Sequence, residues 1–153
     1  MPKHLEGAKT TAGLLSNSFA IDIPDLKITS GVTEVGGLNF EVNTIDVKQT
    51  DNSGRVYLKK RPGVVKYGEL SIKRLATNDK SVYNWIDAIR SGKTWKRQDG
   101  SIFIYNHEGE LQGTWEFQNG WPSKWSMGSL SATSDDTLVE EFTLVVEHLT
   151  RKV

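Results

Sequence analysis

The sequence predicts a mainly β fold, a sandwich or barrel of antiparallel strands with one α-helix packed on the outside. Three observations predict it. Apolar residues alternate with period two in several separate stretches, most clearly from Leu138 to Glu147. Only one stretch, Val82, Trp85, Ile86 and Ile89, has the i, i+3, i+4, i+7 spacing of a helical stripe. Aromatic residues crowd from Trp115 to Trp125 around Asn119-Gly120-Trp121-Pro122, a pattern expected of two packed strands joined by a Gly-Pro turn.

Residues 1–18 are small and polar with no periodicity, so they are expected to form a flexible arm. Phe19, Ile21 and Ile23 predict a first strand that stops at Pro24, which has no N–H for a ladder. Leu38, Phe40 and Val42 share one parity while Ile45 and Val47 have the other, which predicts a β-bulge near Asn43-Thr44. Asp51-Asn52-Ser53-Gly54 opens what reads as an extended loop over residues 50–66. Leu70 and Ile72 mark a half-buried strand. The helix follows over Asp79 to Ser91, with Asn78 or Asp79 as N-cap and Gly92 as its stop. Asp99-Gly100 and Glu108-Gly109 are read as turns bracketing a strand covered on both faces. Trp115 and Phe117 lie on the next strand. In the last strand Leu138, Glu140, Phe142, Leu144 and Val146 form the more buried set. Trp85, Trp115, Phe117 and Phe142 are the residues expected to pack the core.

A chain of 153 residues fits one domain, 1–153, and can bury roughly 68–70% of its unfolded surface. With no cysteine, thiol catalysis, cysteine-ligated zinc and disulfides are excluded. Met1-Pro2-Lys3-His4 opens no apolar leader, and no run approaches the length of a membrane span, so a chain made and kept in the cytoplasm without a membrane anchor is expected. Nineteen basic residues balance nineteen acidic ones, leaving no net field to draw in a nucleic acid.

The motifs that suggest chemistry fail on geometry. Ser91-Gly92-Lys93-Thr94 resembles the tail of a phosphate-binding loop, but its first glycine would fall at Asp87 inside the helix, and the helix ends here where it should begin. His4, His107 and His148 lack ligand spacing. Asp135-Asp136 and Glu140-Glu141 are adjacent pairs, and adjacent strand residues point to opposite faces, so they cannot work together as acid and base. No Gly-x-Ser-x-Gly elbow occurs. No enzyme, metal or cofactor is expected. The rival reading is a single-strand nucleic-acid-binding barrel that stacks bases on its five tryptophans beside a basic loop. Most of these tryptophans, however, sit where core packing explains them.

Arg61-Pro62-Gly63-Val64-Val65-Lys66-Tyr67-Gly68, Asp79-Lys80-Ser81-Val82-Tyr83-Asn84-Trp85-Ile86, Asp99-Gly100-Ser101-Ile102 and Asn119-Gly120-Trp121-Pro122-Ser123-Lys124-Trp125 occur in that order. Together they resemble the inner tube proteins of contractile phage tails and extracellular contractile injection systems, a family to which the type VI secretion tube is related. Gly120 departs from the alanine common in the family. The resemblance implies a tail-tube-like fold and a structural subunit, with six copies closing into rings that stack around a channel. It implies a sheath outside, baseplate or spike and terminator proteins at the ends, and DNA or an effector protein as cargo. The particle would be assembled in the cytoplasm and become part of a virion tail or a released injection particle. Four strands from each of six subunits, about twenty-four at ~4.8 Å spacing and ~40° tilt, would give a backbone diameter near 45–50 Å. The resemblance also implies that the 50–66 loop reaches a neighbouring ring. Between Asn52 and Gly68 lie Arg55, Lys59, Lys60, Arg61 and Lys66 with no acid; between Trp125 and Thr150 lie Asp135, Asp136, Glu140, Glu141 and Glu147 with no Lys or Arg. The five basic residues, with Asp135, Asp136, Glu140 and Glu141, are therefore the expected inter-ring contacts.

Overall fold

The computed structural model describes residues 18–26, 28 and 31–152. Except for Ser18, the arm expected over residues 1–18 lies outside them. The elements are β1 (Phe19–Asp22), a single 3-10 turn (Pro24–Leu26), β2 (Val32–Gly36), β3 (Phe40–Thr50), β4 (Val56–Tyr67), β5 (Leu70–Leu75), α1 (Ser81–Arg90), β6 (Gln98–Tyr105), β7 (Leu111–Met127), β8 (Val139–Val145) and β9 (His148–Arg151). All strand pairings are antiparallel.

Two half-sheets share the long strand β7. Its first part pairs with β6 and β9, and β6 pairs with β1. From Trp121 onward it pairs with β8, followed by β5 and β2. The crossing occurs at Asn119, whose φ of 55° is left-handed, a conformation its short polar side chain tolerates. Its N–H donates to Asp99 Oδ1 at 2.9 Å, and its Nδ2 donates to Glu147 Oε2 at 2.9 Å. The C-terminal chain crosses at the same corner: β8 ends at Val145, the Glu147 N–H donates to the Gln118 carbonyl, and β9 joins the other half-sheet.

The turn expected at Gly120-Pro122 is therefore a bend within one strand of 17 residues. Gly120 and Gly100 are small because the Phe117 ring lies against both. A Cβ at Gly100 would come within 2.4 Å of Phe117 Cζ, and one at Gly120 within 3.0 Å of Cε2. Gly100 accordingly lies inside β6 and makes no turn there. Pro122 stands at a register shift, where a strand tolerates a missing N–H.

One core fills the space between the half-sheets and α1. It contains Ile21, Ile23, Ile28, Leu70, Ile72, Val82, Trp85, Ile102, Phe117, Phe142, Leu144, Val146 and Leu149, with Trp115, Trp121 and Trp125 packed partly against it. Trp85 is 6% exposed, and its Nε1 donates to the Lys96 carbonyl at 2.8 Å. The helix ends in a Schellman motif: the Lys93 N–H donates to the Ala88 carbonyl, the Gly92 N–H to that of Ile89, and Gly92 has φ 71°. The Lys93 amide is thus spent on the helix end, confirming that Ser91-Gly92-Lys93-Thr94 is a helix stop.

At the helix start the N-cap is Lys80, which makes no side-chain cap. Asp79, one residue earlier, substitutes for it. Its Oδ1 accepts the Ser81 N–H at 3.0 Å and its Oδ2 accepts the Ser81 hydroxyl at 3.1 Å. The Ser81 N–H holds this carboxyl below its ordinary value of 3.8, against partial desolvation and with help from the Ser81 hydroxyl and Arg74. Asp79→Ala should cost about 1 kcal/mol of stability. Because the folded-state value is the lower one, the contribution is complete above the ordinary value and lost as pH falls through the lowered one. The gap between wild type and Asp79→Ala in urea unfolding should hold steady above pH 3.8 and close below it. A gap unchanged in acid would place the cap elsewhere.

Candidate assembly interface

The segment read as a loop over 50–66 is largely a strand. β3 and β4 pair only with each other, as a two-stranded sheet apart from the sandwich. At ~3.4 Å per residue, the 11 residues of β3 extend roughly 35 Å. Its tip is closed by Asp51, whose Oδ1 accepts the N–H groups of Ser53 and Arg55 at 2.8 and 2.9 Å. The register irregularity expected near Asn43-Thr44 lies between Val42 and Thr44, with the extra residue on β4 beside Pro62-Gly63. The root is anchored by rings: Phe40 to Tyr67 at 6.2 Å, and Tyr67 to His148 of β9 at 5.4 Å.

Nothing of the described chain covers this hairpin. Phe40, Val42, Ile45, Val56, Tyr57, Leu58, Val64 and Val65 are 40–70% exposed. An isolated hairpin is marginal in water, and exposed apolar area of this extent marks a contact surface. The β3-β4 hairpin forms an arm that emerges from adjacent strands of one half-sheet, leaving β2 through residues 37–39 and returning to β5 through 68–69.

Arg55, Lys59, Lys60, Arg61 and Lys66 all lie on the arm and are exposed. Among the described residues none of them forms an ion pair within the subunit. Pairing brings acids opposite two of them, Asp46 facing Lys60 and Glu41 facing Lys66. Six basic residues against three acidic ones between Phe40 and Tyr67 still leave the arm positive.

The acidic set divides three ways. Asp135 and Asp136 are exposed in the loop between β7 and β8, where the Asp136 N–H donates to the Ser134 hydroxyl at 3.2 Å. Glu141 is half-buried on the β8 face pointing away from the core, opposite Lys73, and its Oε1 accepts the Ser71 hydroxyl at 3.2 Å. Glu140 is not on the surface. It is 3% exposed, its Oε2 accepts from Arg74 Nε at 3.1 Å, and its Oε1 accepts from Trp125 Nε1 at 2.7 Å. Arg74 is itself 6% exposed and reaches Asp79 at 3.4 Å. Glu140 is thus committed inside the subunit, because strand parity places it beside Phe142 and Leu144 on the core face.

Among the described residues no three His, Asp or Glu side chains converge as a metal site, and no helix is long and apolar enough to cross a membrane. His107 and His148 stand apart, on a turn and on β9; His4 lies outside the described residues. Among the described residues the features on display are an uncovered hairpin, sheet edges without a partner strand and an exposed acidic loop. Residues 15–150 match the family model of the T4-like virus tail tube protein gp19, and the chain belongs to that family. Its fold is similar to a chain in the extended-state sheath-tube complex of an extracellular contractile injection system, PVC, at TM-score 0.77 and 23% identity over 97% of both chains. A chain of the anti-feeding prophage tube-terminating cap is similar at TM-score 0.73 and 23% identity, over 94% of this chain and 93% of that one. Hcp1 from Flavobacterium johnsoniae gives TM-score 0.55 and 18% identity over 88% and 94%. No curated protein matches by sequence.

Proposed function

We propose that this chain is the structural subunit of the inner tube of a contractile injection apparatus, a phage tail or a phage-tail-like particle. Six copies close into a ring, rings stack around a channel, and the tube carries DNA or an effector protein through a target envelope when a surrounding sheath shortens. Family membership supports the tube, and the relatives found in sheath-tube, cap and baseplate assemblies support the sheath, terminator and baseplate as partners. The observation that carries the reading is the β3-β4 arm. It is roughly 35 Å of strand with apolar residues exposed along its length, and a hairpin this exposed is marginal in water unless something packs on it.

In this reading the arm reaches the next ring, where its basic residues Arg55, Lys59, Lys60, Arg61 and Lys66 meet the acidic loop bearing Asp135 and Asp136. Apolar contact supplies most of the affinity, and charge sets register and polarity. Exposed pairs are individually worth about 0–1 kcal/mol, but a ring repeats each contact. Reversing Lys59, Lys60 and Arg61 to Glu should leave folded rings that stack poorly, and adding Asp135→Lys and Asp136→Lys should partly restore tubes by negative-stain microscopy. Normal tubes from the triple variant at moderate salt would show that these charges only face solvent.

A further inference from the structure

We propose that Asn119 is a latent self-modification site: once the corner it occupies opens, its side chain cyclises onto Gly120, and the carboxylate that results keeps the corner from re-forming. Asn119 is the one asparagine in the chain that is followed by glycine. Glycine carries no Cβ, so its backbone nitrogen is unshielded, and its conformational freedom lets that nitrogen swing onto the preceding side chain. The Gly120 nitrogen attacks Cγ of Asn119, the Cγ–Nδ2 bond breaks, and ammonia leaves with the backbone amide proton. Water then opens the five-membered ring at either carbonyl, giving aspartate or, with an extra backbone atom, isoaspartate. The reaction takes water alone as its co-reactant, and it proceeds in the free subunit without assembly.

The folded corner holds this reaction off. At φ 55° Asn119 is in the left-handed region, where ψ is about +47° and the following nitrogen lies anti to Cβ across the Cα–C bond; closing the ring requires the two to be eclipsed. The surrounding contacts fix that conformation. The Asn119 N–H is held by Asp99 Oδ1 and its Nδ2 by Glu147 Oε2, each at 2.9 Å. Glu147 is fixed in turn by Arg97 Nη1, 3.2 Å from its Oε1, and by its own N–H on the Gln118 carbonyl. Gly120 is buried in register with Gln98 and against the Phe117 ring. Asp99, Asn119 and Glu147 are nevertheless all exposed, so the corner can open locally while the core stays intact. The product does not fit back. A carboxylate only accepts hydrogen bonds, so at Asn119 it sets an oxygen against Glu147 Oε2 where a donor stood, and joins the Asp99 and Glu147 carboxylates as a third like charge. The extra backbone atom of isoaspartate also shifts Gly120 out of register with Gln98.

Peptide mapping by mass spectrometry, after incubation of the whole protein in mildly alkaline buffer with and without guanidinium chloride, tests the site. In denaturant, Asn119 should lose ammonia ahead of every other asparagine, and Gly120→Ala should slow that loss several-fold. In the native subunit it should proceed at least an order of magnitude more slowly. Chains converted in denaturant should refold to a subunit with a lower unfolding midpoint than unconverted chains. Asn119→Asp should likewise have a lower midpoint than Asn119→Gly, which also lacks Nδ2 but adds no charge and accepts the left-handed conformation. A reaction in denaturant led by another asparagine would overturn the site. Loss from the native subunit as fast as in denaturant would overturn its protection by the fold. Equal midpoints for Asn119→Asp and Asn119→Gly would overturn the claim that the new carboxylate keeps the corner from re-forming.

Discussion

Glu140→Ala should destabilise the subunit by about 3–5 kcal/mol, one of the two largest effects expected of a single change in this chain. The pair it breaks is buried at both ends, Arg74 at 6% exposure and Glu140 at 3%, and the two residues face each other directly across β5 and β8. Removing the carboxylate leaves a guanidinium in the core with only Asp79 to balance it, and takes the acceptor from Trp125 Nε1. The loss is therefore mainly that of an uncompensated buried charge, not of one hydrogen bond. Replacing both partners, Arg74→Met with Glu140→Leu, should recover much of the stability, since apolar side chains of similar volume need no compensation. Urea unfolding with an unchanged m-value tests both variants. A cost below about 1 kcal/mol for Glu140→Ala would mean that water reaches the pair.

Trp85→Ala should cost a comparable 3–5 kcal/mol. The indole joins α1 to the core and ties it to the chain beyond the helix through the Lys96 carbonyl. Truncation removes buried apolar area, opens a cavity between α1 and the sheet, and leaves that carbonyl without its donor. Trp85→Phe separates these contributions, because it keeps most of the packing and loses about 1 kcal/mol with the hydrogen bond. A melting temperature unmoved by Trp85→Ala would show that α1 is held by other contacts.

The alternation of the core strands and the helical stripe were legible in the sequence because each reflects burial within the subunit, and the helix stop because Gly92 supplies the left-handed φ of 71° that ends it. The arm was not. Val56-Tyr57-Leu58 followed by Lys59-Lys60-Arg61 has no period of two, since neither face of β4 packs on a core of its own chain. Periodicity reports what covers a strand, and nothing among the described residues covers this one. The bend in β7 reads as a turn in the sequence because Gly and Pro usually punctuate chains. Gly120 answers instead to the Phe117 ring, a partner known only once the strands are paired. The role of Glu140 was within reach: parity groups it with Phe142 and Leu144, and Arg74 likewise falls in phase with Leu70 and Ile72. Two opposite charges on inward positions of separate strands imply a buried pair.

Electron microscopy of the purified protein tests the central claim most directly. Six-fold rings with a central channel, stacking into tubes as concentration rises, are the predicted result. A monodisperse monomer with its sandwich intact and its arm accessible to protease, at concentrations where the fold is fully populated, would contradict it.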